Sequence, residues 1–251
     1  MHIIGAGRVG GALSTAAQQT GQAATLLSRD SDWSVLEDST GPILVATRND
    51  DLADVLARVP ESRHGDLVFI QNGMIRPWLA DNGLADATRG LLFFAVPSRG
   101  AAIQPGPPSP FHGPHAQAVV RFLRAIGVPA EEVSAAAFTD LEHEKLLWNT
   151  VFGLCCQAFD ATVGQVVREH ADPLRALTEE LDAVGRAAMD VTIDFERLFL
   201  RLCDYSLSIA DYQGAVKEWR WRNGWYVGKA RAMGRTLPMH SALCARAGVS
   251  G

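Results

Sequence analysis

Short apolar runs alternate with amphipathic stretches through the first half of the chain. Five runs have the length and apolar content of buried strands, namely HII, ATLLS, PILVAT, DLVFI and GLLFFAV. Between them, GGALSTAAQQTG and DDLADVLARVP carry apolar residues at helical spacing. Such alternation predicts βαβ units and a parallel sheet. The connection from Arg29 to Gly41 is short for a complete further crossover, so we expect a trimmed version of this arrangement.

Helical periodicity dominates from about Ala116 onward. The run AAIQPGPPSPFHGPHAQ predicts a loop or irregular strand, HAQAVVRFLRAIG a helix and VPAEEVS a last strand. A long helix is predicted over FTDLEHEKLLWNTVFGLCCQAF, with Thr139 and Glu142 as a capping box. Three more helices are expected in DPLRALTEELDAVGRAAMD, DFERLFLRLCDYSLSIAD and AVKEWRWRNGWYVGKARAMG.

The chain opens on MHIIGAGRVGGAL, a glycine-rich turn between a predicted strand and a predicted helix. Gly5 would permit the tight turn, Gly7 the close approach of backbone to a pyrophosphate, and Gly10 close helix–strand packing. With Arg8 and Val9 they form a candidate dinucleotide loop, because the N–H groups of a helix N-terminus favour phosphate. A glycine turn without a ligand is the alternative.

The end of the second predicted strand bears on the choice between NAD and NADP. An NAD site usually has an acidic residue there, which binds the ribose hydroxyls. LLSRD instead places Ser28 and Arg29 at this point, where Arg29 could pair with a 2′-phosphate. Asp30, one residue later, would favour NAD. We predict NADP (NADPH) as the cofactor.

These patterns together predict an α/β protein of two domains. An N-terminal Rossmann-type dinucleotide-binding domain is expected over residues 1–137, and a C-terminal all-helical substrate or dimerisation domain over 138–251, with substrate bound between them. Lys145 and Asn149 share a face of the long helix. Lysine acts as a general acid when partial burial lowers its pKa, and asparagine can orient a carbonyl or carboxylate. A surface lysine beside an asparagine without a catalytic role fits the same spacing.

Composition and charge exclude several other classes. The 251 residues are 47% hydrophobic and 20% charged, and 23 Lys and Arg against 28 Asp and Glu give a net charge of −5. We therefore expect no nucleic-acid partner, although a local basic patch is conceivable. Four residues would form that patch: Arg220, Arg222, Lys229 and Arg231. No apolar run approaches the roughly 18 residues that span a bilayer, and no secretory signal opens the chain, so we expect no membrane partner and a cytoplasmic protein.

Cysteine and histidine positions give little support to metal or hydrolytic chemistry. No CxxC, GxSxG or HExxH pattern occurs. We expect reduced, mostly buried thiols and no metal site. The cysteines are Cys155, Cys156, Cys203 and Cys244. Four histidines without a triad partner are expected at the surface: His64, His112, His115 and His143.

Several motifs in order resemble the ketopantoate reductase (2-dehydropantoate 2-reductase) family. They are GAGRVGGAL, LVATRNDDLADVL, FIQNGM and EKLLWNTVFG, and YSLSIADYQGAVKEWRWRNGWYVGKARAMGRTLP extends the likeness over nearly the whole chain. The set is fairly specific, whereas each piece alone is not. The resemblance implies an NADP-dependent reductase of a 2-oxo acid such as 2-dehydropantoate, in pantothenate biosynthesis. It also implies that Arg48 lies on the cofactor side and that Arg29 selects NADP.

The same resemblance implies roles for five further residues. Lys145 matches the catalytic lysine that protonates the ketone oxygen, and Glu218 matches the glutamate that hydrogen-bonds the substrate hydroxyl. Asn149 matches an asparagine that positions substrate. Ser206 matches the serine that holds the substrate carboxylate, and Asn72 matches an asparagine near the nicotinamide and the lysine.

Three departures from the family pattern suggest that the substrate has changed. Gly153 replaces a second asparagine of the long helix, which would leave room for something bulkier. Trp219 and Arg220 follow Glu218 where the family has an aliphatic residue and an aspartate, and the chain is shorter than is usual. Reduction of another ketone or imine, and binding of NADP(H) without catalysis, are therefore alternatives.

Tryptophans are concentrated in WRWRNGWYV, on what is predicted to be one helix. Trp221 and Trp225 share a face of that helix, which favours packing over a role as a cofactor platform. They could bury themselves in their own domain or in a homodimer formed through the C-terminal helical domain.

Overall fold

The computed structural model describes residues 1–249. The chain divides into two compact units, Met1–Phe138 and the part from Thr139 onward. The predicted boundary, between residues 137 and 138, lies one residue before this division.

The first unit is built on a mixed sheet. Within the described residues, seven strands pair in the order β2-β1-β3-β4-β5-β6-β7, all parallel to their neighbours except β5 and β6. The strands are β1 (His2–Ile4), β2 (Thr25–Leu27), β3 (Ile43–Val45), β4 (Leu67–Phe69), β5 (Thr88–Gly90), β6 (Ser109–His112) and β7 (Ala130–Glu132). Strands β1, β3 and β4 are buried throughout, as expected for the centre of a parallel sheet. The predicted α/β class is confirmed.

Four helices connect these strands, and two of them form a core with the sheet. They are α1 (Arg8–Gln19), α2 (Leu52–Arg58), α3 (Arg76–Asp81) and α4 (Ala116–Ala125). Helices α1 and α4 share one apolar cluster with the sheet, in which Leu13 and Leu123 meet Ile3, Leu44 and Val68. This packing holds the loop between β1 and α1 at the carboxyl edge of the sheet.

Helices make up the second unit. Helix α5 (Ala135–Phe159) leads into it and is followed by α6 (Val163–Glu169), α7 (Ala171–Ala188), α8 (Phe195–Ser208), α9 (Asn223–Ala232) and α10 (Pro238–Ala247). Thr162 and Gln165 form a capping box at the start of α6. The Glu180 carboxylate of α7 accepts hydrogen bonds from the first N–H groups of α10, at Met239 and His240. Polar caps therefore hold two of the short helices in place.

The strand predicted over GLLFFAV is wrong in its bounds, because β5 shares only Gly90 with that run. Regular pairing stops at Gly90, and the following residues are irregular apart from an isolated bridge between Ala95 and Gln104. The Leu91 N–H donates to the Pro110 carbonyl, but proline has no N–H to return. The adjacent strand therefore cannot continue the two-sided ladder that apolar content alone predicts.

The predicted ends of two helices also need correction. Helix α5 begins three residues before Phe138, and Ser134 caps it by accepting a hydrogen bond from the Ala137 N–H. Thr139 therefore lies inside the helix and is not its cap. The stretch from Ala215 is not helical until Asn223, apart from one 3₁₀ turn at Trp219–Trp221.

Three helices have no counterpart in the sequence prediction, namely α3, α6 and α10. Helices α3 and α10 begin with a proline in the first turn, whereas α6 begins at the Thr162 capping box. In the part of the chain that the structure describes, no single helix is both long and apolar enough to span a membrane. Helices α5 and α6 pass that test together by length and composition, with a bend of 78° between them.

Candidate active site

The glycine loop forms the turn that its spacing predicts. Gly5 has φ +110°, and a Cβ there would lie 2.8 Å from the Ala46 carbonyl oxygen, so only glycine fits without strain. A Cβ at Gly10 would collide with the Gly5 carbonyl. Gly7 is the N-cap of α1 and has open space around the position of a Cβ. No side chain at Gly7 therefore blocks the first N–H groups of α1, so a phosphate could approach them closely.

A cavity of about 880 Å³ lies beside this loop, at the carboxyl ends of β1, β2 and β3. Three predicted cofactor residues line it together with the loop, namely Ser28, Arg29 and Arg48. Strand β1 lies between β2 and β3, so the strands that follow it in sequence lie on opposite sides of it. Open α/β sheets bind ligands in the crevice at such a point.

The loop after β2 is held by a network that includes residues not singled out from the sequence. The Trp33 indole N–H donates to the Ser28 carbonyl at 2.9 Å. The Arg58 guanidinium lies 4.0 Å from the centre of the Trp33 ring and donates to the carbonyls of Arg29 and Ser31. These contacts fix the backbone of Arg29 and leave its side chain exposed on the cavity wall.

The other predicted cofactor residues include exposed side chains and one that packs against the core of the first unit. Arg48 is 77% exposed and pairs with Asp51 at 3.3 Å. Arg8 is exposed and donates to the Pro97 carbonyl, whereas Val9 packs against the sheet core. Asn72 is exposed, and its carbonyl accepts a hydrogen bond from the Asn49 amide at 2.8 Å. Asn72 is not part of the cavity wall, so the structure does not group it with the loop residues.

The residues of this cavity fit a dinucleotide. The Thr47 hydroxyl is buried without a hydrogen-bond partner in the described structure, although Thr47 lines the cavity. Buried polar atoms of this kind call for a partner that the protein itself does not supply. The Thr47 hydroxyl, the free N–H groups that follow Gly7 and the arginine side chains are hydrogen-bond donors suited to phosphate and hydroxyl groups.

In the second unit, Lys145, Glu218 and Arg222 form one electrostatic cluster. Lys145 is half-buried on α5. Burial and the Arg222 guanidinium lower the pKa of Lys145 to about 7, against the opposing effect of the Glu218 carboxylate. Arg222 donates to Glu218 at 2.5 Å. An ammonium group that titrates near neutrality is suited to proton transfer. The spacing of Lys145 and Glu218 does not reveal Arg222, which the sequence indicates only as a member of a basic patch.

The two other predicted substrate residues are engaged within the unit. The Asn149 amide donates to the Lys145 carbonyl at 2.8 Å, one turn back along α5. Ser206 is fully buried, donates to the Leu202 carbonyl and accepts from the Trp148 indole at 2.9 Å. Its only hydroxyl proton is therefore used. The expected contact of Ser206 with a substrate carboxylate does not fit this arrangement.

Gly153 does not open the space expected from its position. A Cβ there would lie 2.8 Å from the Ala215 carbonyl oxygen, and one at Gly214 would lie 3.1 Å from both the Phe152 carbonyl oxygen and the Cys156 sulfur. The backbone that leads to Glu218 thus lies directly against α5. Backbone at Ala215 fills the space beside Gly153 that an asparagine side chain would need, so no room is left there for a bulkier substrate.

The expectation of four surface histidines is wrong. His143 is fully buried and lies 2.7 Å from the Asp182 carboxylate, which Arg186 also contacts at 2.5 Å. The remaining three are half-buried, at positions 64, 112 and 115. Burial opposes ionisation of Asp182, but hydrogen bonds from His143 and Arg186 outweigh it and keep its pKa below the usual value. This network braces α5 against α7.

The four cysteines are free thiols, and three of them are buried. Burial raises the pKa of each, most of all for Cys155. Among residues 1–249, no three His, Cys, Asp or Glu side chains are grouped so as to hold a metal ion.

Comparison with solved structures identifies the architecture. A PanE/ApbA family ketopantoate reductase from Ralstonia eutropha JMP134 superposes with a TM-score of 0.75 at 17% identity, covering 98% of this chain and 97% of that one. A 2-dehydropantoate 2-reductase from Methylococcus capsulatus gives 0.77 at 16% identity, over 97% and 94%. The chain has the ketopantoate reductase fold. D-mandelate dehydrogenase in complex with NADH shares this fold, with a TM-score of 0.76 at 13% identity over 98% and 97% of the chains.

The ketopantoate reductase fold was indicated by the motifs, but sequence comparison alone does not reach it. No protein-family model matches the chain, and no curated protein sequence is significantly similar to it. Identities of 13–17% to proteins of this fold indicate that the tertiary structure is retained in a divergent sequence.

Proposed function

We propose that the protein is an NADP-dependent reductase of a 2-oxo acid, in which Lys145 donates the proton. The observation that carries this proposal is the position of Lys145 beside Glu218 and Arg222, with a pKa of about 7. The fold supports it, because solved structures of this fold include ketopantoate reductases and a D-mandelate dehydrogenase with NADH.

Each unit contributes a separate part of the reaction. The Gly5–Gly10 loop and the wall formed by Ser28, Arg29 and Thr47 would hold the dinucleotide. That cofactor, when bound, supplies a hydride for the carbonyl carbon. Lys145 supplies a proton to the carbonyl oxygen, where negative charge develops.

The surroundings of Lys145 suit a general acid at neutral pH. Burial and Arg222 lower the pKa of Lys145, whereas Glu218 raises it, and the resulting pKa is about 7. Near neutral pH, the amine can therefore both donate a proton and take one up again. A lysine with the ordinary pKa of about 10.4 would remain protonated but would donate less readily.

Arg29 supports the choice of NADP over NAD. Its exposed guanidinium lies on the cavity wall, and its backbone is fixed by Arg58. An arginine at the end of β2 can pair with a 2′-phosphate through charge-assisted hydrogen bonds. Asp30 lines the same wall and remains the feature that favours NAD.

The test is oxidation of NADPH and NADH with a panel of 2-oxo acids that includes 2-dehydropantoate and phenylglyoxylate. We expect at least one acid to be reduced with NADPH, and Lys145→Ala to lower turnover by about two orders of magnitude while NADPH binding persists. Tight NADPH binding without oxidation by any acid would contradict the proposal and favour a non-catalytic binding protein. Turnover with imines or other ketones only would retain the reductase and change its substrate class.

A further inference from the structure

Arg222 has an unusual environment for a charged side chain. It is 8% exposed, and it donates through Nη2 to the Glu218 carboxylate at 2.5 Å. Its Nε is buried without a hydrogen-bond partner in the structure described for residues 1–249. Since an unsatisfied N–H of a charged group is costly to bury, the guanidinium has donor capacity that the protein leaves unused.

The backbone at Glu218 is held in an uncommon conformation. Glu218 has φ +48° and ψ +47°, the left-handed region that residues other than glycine rarely adopt. Glu218 and Arg222 flank the Trp219–Trp221 turn, which brings their side chains together. Strain of this kind persists only where the surrounding structure enforces it, and it concentrates at functional sites.

Two basic side chains, Lys145 and Arg222, adjoin one carboxylate, that of Glu218. Glu218 is about one-third exposed, so the cluster can be reached from outside although Arg222 itself is covered. A second carboxylate would balance the charge and supply acceptors for the guanidinium, whose planar fork matches a carboxylate in geometry.

We propose that Arg222 binds the carboxylate of the substrate and so selects a small organic acid over its uncharged analogues. This proposal rests on the proposed reductase function. It assigns to Arg222 the contact with the substrate carboxylate, which the Ser206 hydroxyl cannot make because its proton is already donated to the Leu202 carbonyl. Bound in this way, the carboxylate also stabilises the protonated form of Lys145, so substrate binding prepares the proton donor.

Arg220 provides a matched control. It lies two residues away, is exposed, and packs its guanidinium 4.9 Å from the centre of the Trp221 ring. Replacing Arg220 removes the same charge from the same segment and leaves the cluster of Lys145, Glu218 and Arg222 intact.

The binding experiment uses oxamate, a non-reducible carboxylate, titrated calorimetrically into the full-length protein saturated with NADPH. We expect wild type and Arg220→Gln to bind alike, Arg222→Gln to bind about 30-fold more weakly, and Arg222→Lys to fall between them. Oxamate binding to Arg222→Gln at wild-type affinity, or no binding to wild type, overturns the proposal. Should Arg222→Gln fail to fold, judged by circular dichroism and NADPH affinity, Arg222→Lys decides, because it keeps the charge and loses the fork.

The kinetic experiment compares a reducible 2-oxo acid with its primary amide. Arg222→Gln should lower kcat/KM about 30-fold more for the acid than for the amide, because any effect on the pKa of Lys145 is common to both substrates. Equal losses for acid and amide would overturn the proposal by indicating a general structural role. Failure of wild type to oxidise NADPH would refute the proposed function alone, since the oxamate titration still decides whether Arg222 binds a carboxylate.

Discussion

Lys145 titrates near neutral pH because three surroundings act on one ammonium group. Partial burial and Arg222 destabilise the charged form, and Glu218 stabilises it. Arg222 and Glu218 are both distant from Lys145 in sequence. The pKa of Lys145 therefore depends on the segment around Glu218 being folded against α5.

The pH dependence of turnover follows from this pKa. A general acid must be protonated, so we expect kcat/KM to fall as pH rises through about 7. Glu218→Gln should move this descent to lower pH, because it removes the charge that stabilises the ammonium. The measurement is a pH profile of kcat/KM for wild type and variant, and an unshifted profile would contradict the assignment of the acid to Lys145.

At the same scale, we expect Arg29 to determine the preference for NADP over NAD. We expect Arg29→Ala to raise the KM for NADPH about tenfold or more and to leave that for NADH nearly unchanged, because only NADPH carries the 2′-phosphate. Arg168→Ala, an exposed arginine on α6, serves as the control for general charge effects. Equal losses with both cofactors would mean that Arg29 does not read the 2′-phosphate.

At the scale of elements, the contact between α5 and the segment that leads to Glu218 depends on glycine. Gly153 on the helix and Gly214 on the segment each lie where a Cβ would crowd backbone atoms. This close approach sets the distance from the helix at which Glu218 and Arg222 emerge. An irregular segment is held there by main-chain packing, which helical periodicity cannot reveal.

Gly153→Ala tests this contact. We expect it to lower the free energy of unfolding by about 2 kcal/mol, because the added methyl group meets the Ala215 carbonyl. Gly228→Ala is the control, since Gly228 on α9 has open space and alanine favours a helix by about 1 kcal/mol. Chemical denaturation of both variants measures the difference, and similar midpoints would contradict close packing at Gly153.

At the scale of the whole molecule, stability depends on buried groups that resist protonation. His240 is buried on α10 next to the Asn223 side chain, and burial lowers its pKa to about 4. His2, on the first strand, has a pKa lowered by burial in the same direction. Both must become charged on unfolding in mild acid, so each couples folding to pH.

We expect stability to decline as pH falls from 6.5 to about 4. In that interval the unfolded His240 binds a proton that the folded one excludes, so the contribution is complete above pH 6.5 and is lost towards the folded pKa. The loss from this residue amounts to at most about 3 kcal/mol. Denaturation midpoints across this range should fall less steeply for His240→Gln, and parallel pH trends would rule out His240 as the main contributor.

Association of the whole chain stays a prediction. Exposed apolar side chains on α8, Leu200, Tyr205 and Leu207, favour a homodimer formed through the helical domain. Sedimentation should then give a dimer for wild type and a monomer for Leu200→Glu. A wild-type monomer at micromolar concentration would contradict this.

The sequence determined the features that rest on local chemistry. Gly5 and Gly10 lie where a Cβ would clash with backbone, so the turn requires glycine at these two positions. Apolar runs specify β1, β3 and β4, and helical spacing specifies α5. These follow from steric and hydrophobic rules that act over a few residues. They suffice for the α/β class and for the candidate dinucleotide loop.

Tertiary structure decided what depends on distant segments meeting. It placed Arg222 beside Glu218 and Lys145, used the Ser206 hydroxyl for Trp148, and buried His143 against α7. The irregular path of residues 215–222 follows main-chain packing on α5, although its composition predicts a helix. Burial and electrostatic coupling depend on three-dimensional neighbours, so no local pattern determines them.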